Sequence, residues 1–228
     1  MKIIRIFQCV YCLVQRNKMR SFVVVFLATL LCGALAKSNK KSDDKVKIAV
    51  YYEALCPDSK KFVTQQLAPV WRDFRGAVKV KMVPYGKATH DKVGDNWEFT
   101  CQHGPDECYG NKVQACILKN TKLQDTEKMD LVICLMEQSA PDKSLDVCLD
   151  KLKQSPLSGD LSSCAGGARG AALLASYGDK SDAVQRPLAS VPTVVINEKF
   201  DQEVSKQAVD NLKAAICNAS VHKPSACR

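Results

Sequence analysis

The chain has 228 residues, 46% of them hydrophobic, with 33 basic and 24 acidic side chains, a formal net charge of +9 and twelve cysteines. Five of the basic residues (Lys2, Arg5, Arg16, Lys18, Arg20) and none of the acidic ones lie in the first 36, so the remaining 192 residues carry 28 basic and 24 acidic groups, a net charge of +4. No basic cluster follows Lys37–Lys45, which removes the electrostatic case for a nucleic-acid or membrane-surface partner, and the length suits one domain or one domain with a sizeable insertion.

Residues Phe22 to Leu35 form an apolar run behind Lys18 and Arg20, and Ala34-Leu35-Ala36 is a small-x-small cleavage signature. The run is long enough for a signal-peptide core and short for a membrane span, so residues 1–36 read as a signal peptide and the mature chain as having no span. Eighteen residues precede Met19, which is long for a positive n-region. Translation starting at Met19 and a tolerated extra segment starting at Met1 both stay open. Residues 37–45 (KSNKKSDDK) read as a flexible polar tether.

Val46 to Tyr52 alternates β-branched or aromatic residues with others and reads as a strand. Cys56-Pro57-Asp58-Ser59 follows, where a dithiol enzyme would carry Cys-x-x-Cys. Next, Phe62, Val63, Leu67, Val70, Trp71 and Phe74 recur at helical spacing, with Pro57 in the first turn, Pro69 expected to kink the helix and Gly76 closing it. Ala77 to Val83 returns to strand character. This strand–Cys–helix–strand unit resembles the opening of a thioredoxin fold.

From about 85 to 185 little strand character is evident, and Asn111–Lys119, Thr126–Gln138 and Asp142–Lys153 read as short helices. Ala165 to Gly170 lacks the spacing and lysine of a phosphate loop, and reads as a Gly-rich turn into a helix around Ala171–Tyr177. Val191 to Ile196 is a β-branched run with Pro192 near its start, which argues against an ordinary central strand. Thioredoxin-like folds place a cis-proline here, facing the active cysteine; an edge-strand proline without a role at a site is the alternative. Asn197-Glu198 can turn the chain into a short hairpin, and Val204, Ala208, Leu212 and Ile216 then mark an amphipathic helix.

Nine cysteines follow residue 36: Cys56 alone, then Cys101, Cys108, Cys116, Cys134, Cys148, Cys164, Cys217 and Cys227. An odd count in an oxidising compartment leaves one sulfur free or intermolecular. Cys56, at the start of a helix, is the expected free thiol, and the other eight are expected structural disulfides whose connectivity the sequence leaves open. Pairing of Cys56, with another thiol left over, is the alternative.

Cys101 to Cys116 reads C-Q-H-G-P-D-E-C-Y-G-N-K-V-Q-A-C and fits the pattern C-Q-H-G-x2-E-C-x2-N-x4-C at every fixed position. On that signature the chain resembles the gamma-interferon-inducible lysosomal thiol reductase family, and the likeness runs over about 46–217. The resemblance implies an α/β, thioredoxin-like fold with a disulfide-rich helical insertion at about 85–185, and a reductase of protein disulfides in acidic endosomes and lysosomes. By position, Cys56 is the family's nucleophile and Ser59 stands where the resolving cysteine belongs. A zinc site built from Cys101, His103, Cys108 and Cys116 fits the usual ligand spacing poorly, so neither metal nor cofactor is expected and His103 reads as a structural hydrogen-bonding residue.

A dithiol reductase resolves its mixed disulfide with a second thiol, and a serine hydroxyl cannot. The N–H groups of a helix start would favour a thiolate at Cys56, and Asp58 would oppose it as a like charge. Two functions stay open. One is a binding protein that keeps the fold and has lost efficient reduction. The other is a monothiol exchange enzyme that reduces or traps protein disulfides through Cys56 and depends on an external thiol. Asn218-Ala219-Ser220 is the only N-glycosylation sequon, placed beyond the last helix, and residues 218–228 read as a tail. Ser225-Ala226-Cys227-Arg228 is not a retention signal, so secretion is the default and an endosomal or lysosomal destination the alternative.

Overall fold

A computed structural model describes residues 44–228. The expected signal peptide, the choice of start and residues 37–43 of the expected tether lie outside the described residues. β1 (Val46–Tyr52) is the centre of a three-stranded sheet of order β2-β1-β5. β2 (Val78–Pro84) runs parallel to it, from Val46↔Val78 to Tyr52↔Pro84, while β5 (Thr193–Ile196) runs antiparallel, from Ile48↔Ile196 to Tyr51↔Thr193. A central strand is covered on both faces, and its side chains divide accordingly. Val46, Ile48, Val50 and Tyr52 enter one apolar cluster with Phe62, Leu67 and Trp71, and Tyr51 enters a second with Tyr85, Leu174, Tyr177 and Val195.

The helix after Cys56 has three parts: α1 (Pro57–Phe62), a π-turn (Val63–Leu67) and α2 (Ala68–Asp73). Pro69 has no N–H and its ring crowds the preceding turn. The chain meets this by widening the helix just before it, with Ala68 N–H donating to Val63 O, so a π-turn stands where a kink was expected.

Between β2 and β5 lie a hairpin and five helices. The hairpin, β3 (Thr89–Val93) and β4 (Asn96–Thr100), corrects the expectation of little strand character in 85–185. Its signal is faint because only His90, Trp97 and Phe99 are half-buried while the rest are exposed. Yet Gly94-Asp95, with Gly94 at φ +60°, is a two-residue hairpin turn. The helices are α3 (Pro105–Leu118), α4 (Asp125–Glu137), α5 (Leu145–Lys151), α6 (Ser158–Gly166) and α7 (Ala168–Asp182). Cys116–Cys164 joins α3 to α6, Cys134–Cys148 joins α4 to α5, and Cys101–Cys108 closes the turn into α3.

The C-terminal helix expected over 204–216 is two helices, α8 (Gln202–Asp210) and α9 (Leu212–Ala219). A strict four-residue repeat drifts by about 40° per step on a 3.6-residue helix, so on one continuous helix Val204 and Ile216 would stand about 120° apart. A break at Asn211 resets the face. Its Oδ1 accepts Ala214 N–H at 2.9 Å, and Gln66 bridges the gap by donating to Asp210 O (3.2 Å) and accepting from Leu212 N (3.3 Å). Cys217–Cys227 ties the C-terminal residues back to α9. No helix among the described residues is long and apolar enough to cross a membrane.

Candidate functional site

Cys56 is the free cysteine among the described residues. It is 7% exposed and caps α1, with its carbonyl accepting Lys60 N–H at 3.0 Å. Ser59, one turn on, is fully buried, and its Oγ accepts the main-chain N–H of Glu53 at 3.3 Å. The Val191–Pro192 peptide bond is cis. Thr193, next in line, pairs with Tyr51 near the end of β1 from which the Cys56 loop departs. Val191 and Pro192 line a groove of about 470 Å³ together with Asp58, Phe62, Gln66 and Ser205. Asp58, rather than Cys56, is the residue of the motif's first turn that lines it.

The C101–C116 signature forms the wall behind this loop. Glu107, Asn111 and Gln114 lie at i, i+4 and i+7 of α3, one helical face, and all three are fully buried. Asn111 Oδ1 accepts Ala54 N–H at 2.9 Å, Gln114 Oε1 accepts the Tyr52 hydroxyl, and Glu107 Oε1 accepts His103 N–H at 3.0 Å. Gly110 lets α3 approach, since a Cβ there would stand 3.0 Å from the Ala54 Cβ. These contacts hold residues 52–54, directly ahead of Cys56.

Glu53 is the least expected member. Fully buried, it accepts Lys87 N–H at Oε1 (2.8 Å), while its Oε2 makes no hydrogen bond. His103 Nδ1 stands 3.4 Å from that oxygen and 2.6 Å from Glu107 Oε2. Burial pushes the Glu53 carboxyl above the usual carboxylate range; the Lys87 N–H pulls it back, Glu107 raises it further and His103 lowers it. A terminal oxygen of Glu53, the Cys56 sulfur and an imidazole nitrogen of His103 lie within 4.8 Å of one another. The four-residue zinc set is unavailable, because Cys101, Cys108 and Cys116 are in disulfides.

Thus Cys56, Ser59 and the signature converge on one loop, with Pro192 in the adjoining groove. Asn218 lies apart, exposed in the last turn of α9 rather than beyond the last helix. Sequence reasoning passed over Glu53 and gave no role to Glu107, Asn111 or Gln114. The signal available was a stripe of three polar residues at helical spacing inside a helix that also carries two structural cysteines.

The family model described as "Gamma interferon inducible lysosomal thiol reductase (GILT)" matches residues 47–152. A gamma-interferon-inducible lysosomal thiol reductase-like protein of Anopheles gambiae is 36% identical over 197 residues, covering 80% of this chain and 80% of that protein. The chain belongs to the GILT family. The gamma-interferon-inducible lysosomal thiol reductase of Mus musculus is 35% identical over 154 residues, 68% of this chain and 61% of the mouse protein. Among solved structures, oxidised BdbD from Bacillus subtilis superposes with a TM-score of 0.57 at 17% identity, covering 79% of this chain and 90% of that one. DsbA of Chlamydia trachomatis gives 0.51 at 13%, covering 78% and 89%. These likenesses place the GILT chain in the thioredoxin-like fold.

Proposed function

We propose that this GILT-family chain is a secreted protein whose dithiol disulfide-reductase activity is lost or much reduced, and that it acts mainly by binding protein partners. One observation carries the reading: Cys56 is the single free cysteine among the described residues, and the residue one turn on is a buried serine whose oxygen already holds Glu53 N–H. In the two-thiol reaction a thiolate attacks one sulfur of a substrate disulfide and the other leaves as a thiolate; a second enzyme thiol then attacks the first cysteine's sulfur, forming an enzyme disulfide and releasing the bound substrate half as a thiol. The eight other cysteines of the described residues are all paired, so none supplies that second thiol. The groove beside Pro192, with Phe62 and Val191 among its apolar lining residues, is the surface offered to a polypeptide.

A second reading rests on Cys56 being unpaired at a helix start. Here Cys56 forms the mixed disulfide, an external thiol such as glutathione attacks the Cys56 sulfur and releases the substrate half as a thiol, and a second external thiol frees Cys56 as the external disulfide leaves. This monothiol exchange is slow in acid, because a thiol of pKa near 8.5 is ionised to only ~0.1% or less. Secretion is supported by the apolar leader and by four disulfides, which persist in oxidising compartments. A glycan at exposed Asn218 would leave an endosomal or lysosomal route open.

The test is reduction of insulin at acidic and neutral pH by wild type, Cys56→Ser and Ser59→Cys. The binding reading expects turnover from Ser59→Cys alone. Efficient turnover by wild type that is abolished in Cys56→Ser would replace it with the monothiol enzyme.

A further inference from the structure

Glu53 presents a fully buried carboxylate oxygen with no hydrogen bond, directed at the imidazole of His103 and near Cys56, the only free cysteine among the described residues. A buried polar oxygen left unpaired costs about 1–3 kcal/mol, more if it is charged. Proteins retain such groups when something else meets them. Among the described residues, His103 is the only side chain within ion-pair distance of either Glu53 or Glu107. No lysine or arginine therefore pairs with the two buried carboxylates.

We propose that Glu53, Cys56 and His103 bind one divalent ion of the zinc class, through a carboxylate oxygen, a thiolate sulfur and an imidazole nitrogen. Three ligands of mixed O, S and N character with a fourth position open suit zinc, and the thiolate disfavours calcium and magnesium. The ligand atoms lie within 4.8 Å of one another, so tetrahedral coordination at roughly 2.0–2.3 Å needs side-chain adjustments of about 1 Å. The ion takes His103 Nε2, and Glu107 supports the site from outside by holding Nδ1 at 2.6 Å, as carboxylates commonly hold metal-bound histidines. Lys87 N–H fixes the other oxygen of Glu53, which leaves Oε2 for the ion. This goes beyond the binding function above: the ion needs the free thiol but no exchange chemistry. Its consequence is that metal caps Cys56 and withdraws it from disulfides.

Zn²⁺ titrated into the purified protein at neutral pH, in competition with a chromogenic chelator, should show one saturable site. Co²⁺ in its place should give a sulfur-to-cobalt charge-transfer band. Cys56→Ser should abolish the band. Glu53→Gln should weaken Zn²⁺ binding by more than the roughly 10–100-fold that loss of an outer partner costs, and Glu107→Gln by an amount within that range. In unmutated protein, one equivalent of Zn²⁺ should slow alkylation of Cys56 by iodoacetamide at least tenfold, a readout independent of how any variant folds. Absence of a 1:1 site, undiminished binding by folded Cys56→Ser or Glu53→Gln, or an alkylation rate indifferent to Zn²⁺ would each overturn the proposal.

Discussion

The Ser59 hydroxyl accepts the main-chain N–H of Glu53 at 3.3 Å, with both residues fully buried. The position that would carry a second sulfur is therefore part of the scaffold of the Cys56 loop. Ser59→Ala leaves that N–H buried and unpaired, at a cost of about 1–3 kcal/mol. Chemical denaturation should register the loss, while the capacity of Cys56 to form a mixed disulfide with a small aromatic disulfide should persist. Unchanged stability would mean that the Ser59 contact contributes nothing.

Gly86 makes room for Glu53. It sits at φ +64°, and a Cβ there would lie 2.2 Å from Glu53 Cγ. Gly86→Ala adds the left-handed backbone penalty of about 1–2 kcal/mol to a clash with a fully buried side chain. We expect a loss of stability clearly exceeding that figure, and recovery of part of it when Glu53 is also shortened to Ala. Additive losses in the double variant would show that the two residues do not press on each other.

The frame of the fold was legible in the sequence because its signals are local. β1, β2, the helix after Cys56 and most insertion helices follow from periodicity over a few residues, and Gly94-Asp95 held a hairpin signal that the charged strands around it obscured. What stayed illegible is contact across long separations. Nothing near Glu53 in sequence announces that Lys87, His103 and Glu107 surround it, and nothing in a four-residue apolar repeat states that Gln66 will bridge a break at Asn211. Disulfide partners are illegible for the same reason, Cys116 and Cys164 being 48 residues apart.

Tyr177 on α7 gives the core beside the hairpin a pH dependence in the alkaline range. Burial pushes its phenol up to about 12, whereas the unfolded chain ionises it near 10. The unfolded state loses this proton first, so the contribution is complete below pH 10 and declines as pH rises toward 12. At pH 11 the loss is about 1 kcal/mol. Tyr177→Phe should flatten the fall in urea-denaturation stability between pH 9 and 11 by about that amount. Parallel pH profiles for the two proteins would exclude Tyr177 as a source.

Asn111 connects the family signature to the Cys56 loop more directly than any other residue of α3. Its Oδ1 holds Ala54 N–H at 2.9 Å, two residues from Cys56, and no water-facing route replaces that bond because both residues are fully buried. Asn111→Ala orphans the N–H and opens a void beside the loop, so about 1–3 kcal/mol of stability should go. A second consequence separates positioning from bulk stability. Under conditions where both proteins stay folded, Cys56 in the variant should alkylate faster, because local opening of residues 53–56 costs less when their tether is gone. Faster alkylation together with an unchanged rate of hydrogen exchange in β1 would assign the signature to holding the cysteine loop. Equal alkylation rates would assign Asn111 to the core alone.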